Sequence, residues 1–166
     1  VHVDGGHLLN IVHIDDLGGL QSFAFGQHDG KWLVLGGRLD GLHRRQPFAT
    51  FDIAGHNTQL LVIDPIAGKK WAASMNTLPN TIQEQLKSTN MEFYRRGNIL
   101  YLIGGYGYSD IEGDHTTFSN LTAIDVPATI NAIISKIDFV THFRQLTDIQ
   151  FQVSGGRLEK IGNTFY

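Results

Sequence analysis

The sequence predicts an all-β protein built from repeated units of short strands. Glycine is abundant at 19 of 166 residues, or about 11% against an average usage of about 7%. The apolar runs are short and are bounded by turn-forming dipeptides, as expected of strands. The same order of strands and turns also recurs along the chain, which is typical of repeat architectures.

Composition excludes several classes of protein. The formal net charge of −3 leaves no basic excess, so we expect no nucleic-acid partner. No apolar run reaches the roughly 18 residues of a membrane-spanning helix, and the first residues lack the pattern of an export signal. Cysteine is absent, which excludes disulfides, thiolate nucleophiles and zinc–cysteine sites.

The repeat is carried by two glycine pairs and by the strands before and after them. Its first half matches in three places: SFAFGQHDGKWLVLGG (22–37), NMEFYRRGNILYLIGG (90–105) and GRLEKIGNTFY (156–166). Its second half matches in two: TQLLVIDP (58–65) and SNLTAIDV (119–126). With a period of about 65 residues, these matches divide the chain into the end of a preceding unit (1–21), two units (22–88 and 89–153) and the start of another (154–166).

Each element of a unit follows from its residues. Residues 23–25 place a large apolar side chain at every second position, as half-buried strands do. Residues 32–35 instead form a continuous apolar run, which is typical of a strand buried on both faces. Asp29-Gly30 between them tolerates the positive φ of a hairpin turn. The pair Gly36-Gly37 then marks a close approach or a sharp turn.

Three further elements are predicted outside this pattern. Residues 80–88 begin with an asparagine cap, and residues 127–137 begin with Pro127 in a first-turn position, so we expect two short helices on the rim of the fold. Residues 8–15 read as an apolar strand that ends in Ile-Asp, like those ending at Asp64 and Asp125.

The two glycine pairs, the segment 63–71 with Pro65 and Trp71, and the partial third copy resemble the Kelch repeat. The resemblance implies β-propeller blades, of which this chain supplies about two and a half, an incomplete propeller. The second unit departs from the pattern, because no tryptophan follows Asp125.

A narrower resemblance concerns the stretches GGRLDGLHRRQPFATFDIAGHN and NMEFYRRGNILYLIGGYGYSD. They are similar to Kelch-type proteins that Bacteroidetes-like bacteria export. That likeness implies an extracytoplasmic protein, whether periplasmic, secreted or at the cell surface. Since a propeller needs at least about four blades, we expect the remaining blades, or other subunits, in a larger protein or assembly.

The candidate binding residues lie in two long connections between second and third strands, 38–57 and 106–120, hereafter the first and second insertions. In a four-stranded meander both connections emerge on one face, where repeat proteins commonly bind ligands, so we expect the insertions to touch or share a groove. The candidates are Arg38, Asp40, His43, Arg44, Arg45, Phe48, His56, Tyr106, Tyr108, Asp110 and His115.

Each insertion has two interpretations. The arginines of the first insertion could bind an anion or carboxylate beside an aromatic platform, or could tie down backbone carbonyls together with Asp40 and Asp52. The tyrosines and carboxylates of the second insertion could form a carbohydrate or peptide site. Alternatively, this insertion is a solvated acidic loop whose rings pack on the neighbouring unit.

Catalytic and metal-binding patterns are weak. His43, His56 and His115 could converge with Asp114, but no HxH or HxxxH spacing supports a metal site, and no cofactor is predicted. No serine lies in a GxSxG elbow.

We therefore predict a module that binds a protein or carbohydrate ligand. The alternatives are a propeller-based enzyme acting on sugars or peptides with catalytic residues outside this segment, and a structural subunit.

Overall fold

The structure is a computed structural model that describes residues 2–3, 7–8, 11–41 and 50–166. These residues form mostly antiparallel β-sheet with two α-helices. The strands, in chain order, are β1 (His2–Val3), β2 (His7–Leu8), β3 (Ala24–His28), β4 (Lys31–Leu35), β5 (Gln59–Asp64), β6 (Lys69–Ser74), β7 (Glu92–Arg96), β8 (Ile99–Ile103), β9 (Tyr106–Ser109), β10 (Asp114–Thr117), β11 (Asn120–Asp125), β12 (Phe143–Thr147), β13 (Lys160–Ile161) and β14 (Thr164–Phe165). The helices are α1 (Asn80–Lys87) and α2 (Val126–Ser135).

The first sheet has the strand order β3-β4-β5-β6, so each strand pairs with its neighbour in sequence. Val34 in β4 pairs with Phe25 on one side and with Leu61 on the other. Asp29 and Gly30 connect β3 to β4 with φ values of 46° and 73°, which confirms the predicted hairpin turn.

The second sheet repeats this order with β7, β8, β11 and β12. Leu102 in β8 pairs with Phe93 on one side and with Thr122 on the other. Two elements interrupt the meander: the hairpin β9–β10 lies between the second and third strands, and α2 lies between the third and fourth. The second insertion is therefore an ordered hairpin.

One apolar core joins both sheets and both helices. It contains fully buried leucines of each sheet, together with Val126 and Ile130 of α2. A Cβ atom on Gly26 would lie 2.8 Å from Val126 Cγ2, so glycine allows α2 to approach the first sheet closely. The sequence suggested rim helices, but α2 packs on the core face of the first sheet because its apolar side is wide.

Backbone contacts recur from one unit to the next. The N–H of Asn90 donates to Ser22 O at 3.2 Å, and at the corresponding positions Gly155 donates to Asn90 O at 2.9 Å. A second bond recurs within each unit, because Gly37 N donates to Ser88 O and Gly105 N donates to Val153 O, both at 2.9 Å, and each acceptor is the last residue of its unit. The contact between the first two units thus recurs between the second unit and the C-terminal segment.

The two ends of the chain differ in how well they follow the sequence prediction. The hairpin β13–β14 forms where the third copy was expected, and the Phe165 ring lies 5.4 Å from Tyr94 of the second sheet. The predicted strand over 8–15 is wrong for residues 11–15, which form no strand. These residues lie over the outer face of the first sheet instead, where Ile14 and Trp32 line an apolar cavity of about 290 Å³.

Neither α1 nor α2, the helices found in the described ranges, has the length and apolarity needed to cross a membrane.

Candidate functional site

The two insertions meet directly. Nε2 of His115 in the second insertion lies 2.8 Å from the carbonyl oxygen of Phe51 in the first. The ring of Phe51 also meets the ring of Tyr106 edge to face, with 5.0 Å between centroids. These contacts confirm the prediction that the insertions touch each other.

The hairpin β9–β10 gathers three aromatic side chains on one side. Tyr108 and His115 are directly paired across the hairpin, and their rings meet edge to face at 5.4 Å. The Tyr106 ring is stacked against His115 at 5.9 Å with an interplanar angle of 22°. We call Phe51, Tyr106, Tyr108 and His115 the junction cluster. His115 is exposed and the other three rings are half-buried.

A buried carboxylate on α1 holds the hairpin turn. Oε2 of Glu84 accepts a hydrogen bond from Ser109 Oγ at 2.9 Å, and Oε1 accepts one from Ile111 N at 2.9 Å. Ser109 Oγ in turn accepts from Glu112 N at 3.1 Å. Glu84 was not predicted from the sequence, because a single glutamate in a polar helix looks like an exposed residue until its partners are known.

A buried arginine, Arg38, stabilises the first insertion through hydrogen bonds. Its side chain is 2% exposed, and its Nε donates to Asp40 Oδ1 at 2.9 Å while Nη2 donates to Asp52 O at 3.0 Å. Its guanidinium carbon lies 5.5 Å from the centroid of the Phe51 ring. Of the two interpretations of these arginines, the structure supports the structural one for Arg38. We call the hydrogen bonds of Arg38 to the Asp40 carboxylate and to Asp52 O the structural tie.

His56 lies beside this tie and is buried. Burial, together with the positive charges of Arg38, His115 and Lys87, lowers the pKa of His56 from its ordinary value of 6.5 to about 4, against a smaller opposing effect of Asp40. His56 is therefore neutral at neutral pH. Lys87 was not among the predicted residues, because it belongs to α1 and not to an insertion.

The remaining candidates fall into two groups. His43, Arg44, Arg45 and Phe48 lie outside the described residues. Asp110 is exposed in the turn of the hairpin and lines a polar cavity of about 240 Å³ with Glu84 and Lys87. The structure thus brings Arg38, His56, Tyr106, Tyr108 and His115 together, and it adds Phe51 and Lys87 to them.

The arrangement is suited to binding. Within the described ranges, no three histidine or carboxylate side chains are placed to hold a metal ion. Half-buried aromatic rings with polar edges offer both apolar contact and hydrogen bonds to a ligand. Comparison with protein-family models and with curated proteins gives no match.

Proposed function

We propose that this chain is a binding module whose junction cluster contacts a protein ligand. The observation that carries the proposal is the contact between the two insertions, which places Phe51 and Tyr106 in one surface. Insertions that meet on one side of a repeat protein are the usual location of its binding surface.

The side chains of the cluster favour a protein ligand. Tyrosine and phenylalanine are enriched at the centres of protein interfaces, and charged side chains are common at the rim. The acidic turn of the hairpin, with Asp110, Glu112 and Asp114 exposed, supplies such a rim. A basic or polar peptide segment with an apolar anchor complements this combination.

The cluster is held rigidly on both sides. Arg38 ties the backbone of the first insertion to Asp40 and Asp52, and Glu84 ties the turn of the second insertion to α1. A surface that is ordered before it binds loses little conformational entropy on binding, which favours affinity.

The repeat itself is best explained as a series of Kelch-like propeller blades. Two sequential four-stranded meanders support this interpretation, as do the positive φ values of Gly36 and Gly104 and the recurring hydrogen bonds. In such an arrangement further blades or other subunits complete the propeller. An extracytoplasmic location is part of the proposal and depends on the sequence resemblance alone.

The test is to select peptides from a random displayed library against the full chain and to measure their affinity for variants. We expect Tyr108→Ala and His115→Ala each to weaken binding by about tenfold or more. Ile66→Ala, which alters an exposed turn of the first sheet, is the control and is expected to bind like the wild type. Selected peptides that bind both cluster variants as well as the wild type would contradict the proposal. Cluster-dependent binding on a glycan array without any selected peptide would replace the protein ligand with a carbohydrate.

A further inference from the structure

A concave site lies away from the insertions. A cavity of about 510 Å³ opens between three backbone segments, namely 25–27 of β3, 93–95 of β7 and 156–159 before β13. In the repeat these segments occupy corresponding positions, with Phe25, Phe93 and Leu158 aligned. We call this space the three-unit cavity. Its volume lies in the range of small-molecule sites, about 300 to 1,000 Å³.

Aromatic rings form one wall of the three-unit cavity. Phe25 is stacked on Trp32 with 5.1 Å between centroids, and it meets Phe93 edge to face at 5.4 Å. Tyr94 is in contact with Phe165 at 5.4 Å. Because each ring is packed against another, the wall offers flat apolar faces that need little rearrangement to bind a ligand.

Polar side chains, among them positively and negatively charged ones, line the rest of the cavity. Arg95 is oriented by a hydrogen bond from its Nε to Gly97 O at 2.8 Å. Arg157 Nε lies 2.6 Å from Glu159 Oε1, and the Gln27 amide is nearby. The two arginines and Glu159 give the lining a net charge of +1, and Glu159 offsets the charge of Arg157. The polar groups also make a purely apolar ligand unfavourable, since they would lose hydrogen bonds to water.

We propose that the three-unit cavity binds the pyranose ring of a carbohydrate. A pyranose has an apolar face of C–H groups, which packs on aromatic rings, and an edge of hydroxyl groups. Arg95 and Arg157 supply donors to those hydroxyls, and Glu159 supplies an acceptor. The proposal is independent of the junction cluster, because the two sites share no residue.

The experiment is calorimetric titration of the full chain with the methyl glycosides of glucose, galactose and mannose. We expect saturable binding of at least one glycoside in the millimolar range or tighter. Arg95→Ala and Glu159→Gln should each weaken that binding by about tenfold. Arg96→Ala is the matched control, because Arg96 is the next residue of β7, is exposed and does not line the cavity.

Three outcomes would overturn the proposal. The first is the absence of saturable binding by any of the three glycosides. The second is an equal loss of affinity in Arg95→Ala and Arg96→Ala, which would show a nonspecific effect of charge. The third is a loss in Tyr108→Ala with full affinity in Arg95→Ala, which would place the carbohydrate at the junction cluster. Circular dichroism of each variant verifies that the fold is retained.

Discussion

The carbonyl oxygen of Asn90 accepts a hydrogen bond from the backbone N–H of Gly155 at 2.9 Å. One unit earlier, Ser22 O accepts the same bond from Asn90 N at 3.2 Å. Because backbone atoms make this contact, the units can differ in side chains and still dock in the same way. The side chains next to this contact can therefore differ between units and form different surfaces. The three-unit cavity lies beside β3 and β7, the first strands of the two sheets.

Glycine at position 104 is required by a close approach to Val153, the last residue of the same unit. Gly104 has a φ of +64°, and a Cβ atom there would overlap the carbonyl oxygen of Val153. Gly113 has a similar φ of +73° with no atom nearby, so Gly113→Ala measures the backbone strain alone, about 1 kcal/mol. We expect Gly104→Ala to lower the free energy of unfolding by at least about 2 kcal/mol more. Equal losses in denaturant titrations would contradict the close approach.

Arg38 is expected to stabilise the fold through its forked geometry. A lysine side chain at this position would keep the charge but lose the two-point contact with Asp40 and the bond to Asp52 O. We expect Arg38→Lys to lower the free energy of unfolding by about 2 kcal/mol. Arg144→Lys, at an exposed arginine of β12, is the control and should change stability by less than about 0.5 kcal/mol. An Arg38→Lys variant as stable as the control would show that the tie is dispensable.

The lowered pKa of His56 predicts a specific dependence of stability on pH. Its pKa is about 4 in the folded protein against 6.5 ordinarily, so between these values the unfolded chain binds a proton that the folded chain does not. Stability is therefore full above about pH 6.5 and falls as the pH is lowered to about 4, by up to about 3 kcal/mol. In His56→Gln this part of the pH dependence should disappear, as measured by denaturant titrations at each pH. His13→Gln, at an exposed histidine, should keep the wild-type slope, and an unchanged slope in His56→Gln would refute the assignment.

Glu84 is expected to control the order of the hairpin β9–β10. Glu84→Ala removes the acceptors for Ser109 Oγ and Ile111 N. We expect amide hydrogen exchange at Ile111 to become at least about tenfold faster. Gln83→Ala, one position earlier on α1, removes a bond to Leu78 O and should leave exchange at Ile111 unchanged. Equal exchange at Ile111 in both variants would show that other contacts hold the turn.

Local patterns in the sequence predicted the elements that depend on neighbouring residues. Asp29-Gly30 marked its hairpin because few residues tolerate positive φ. The helix predicted over 80–88 is observed as α1, but Asn80 is its first residue and not its cap, which is Pro79. Pro127 lies in the first turn of α2, as predicted. The β-rich fold was also predicted, whereas the arrangement of blades stays a prediction.

Contacts between distant residues could not be predicted in this way. Gln85 reads as one of several polar residues in α1, yet it is fully buried and donates to Asn120 O at 2.9 Å. Its partner lies in another strand, which no local pattern indicates. The junction cluster was predicted in part, because the repeat placed both insertions on one face. The roles of Phe51 and Lys87 depended on packing between elements.

The most direct test of the central claim is a nuclear magnetic resonance titration of the labelled full chain with a selected peptide. The claim is that the meeting point of the two insertions binds the ligand. We predict that the largest changes in amide chemical shift occur at Phe51, Tyr106, Tyr108 and His115, with small changes at the outer face of the first sheet. Saturable binding whose shifts are centred on Trp32 and Ile63, with the cluster unchanged, would contradict the account.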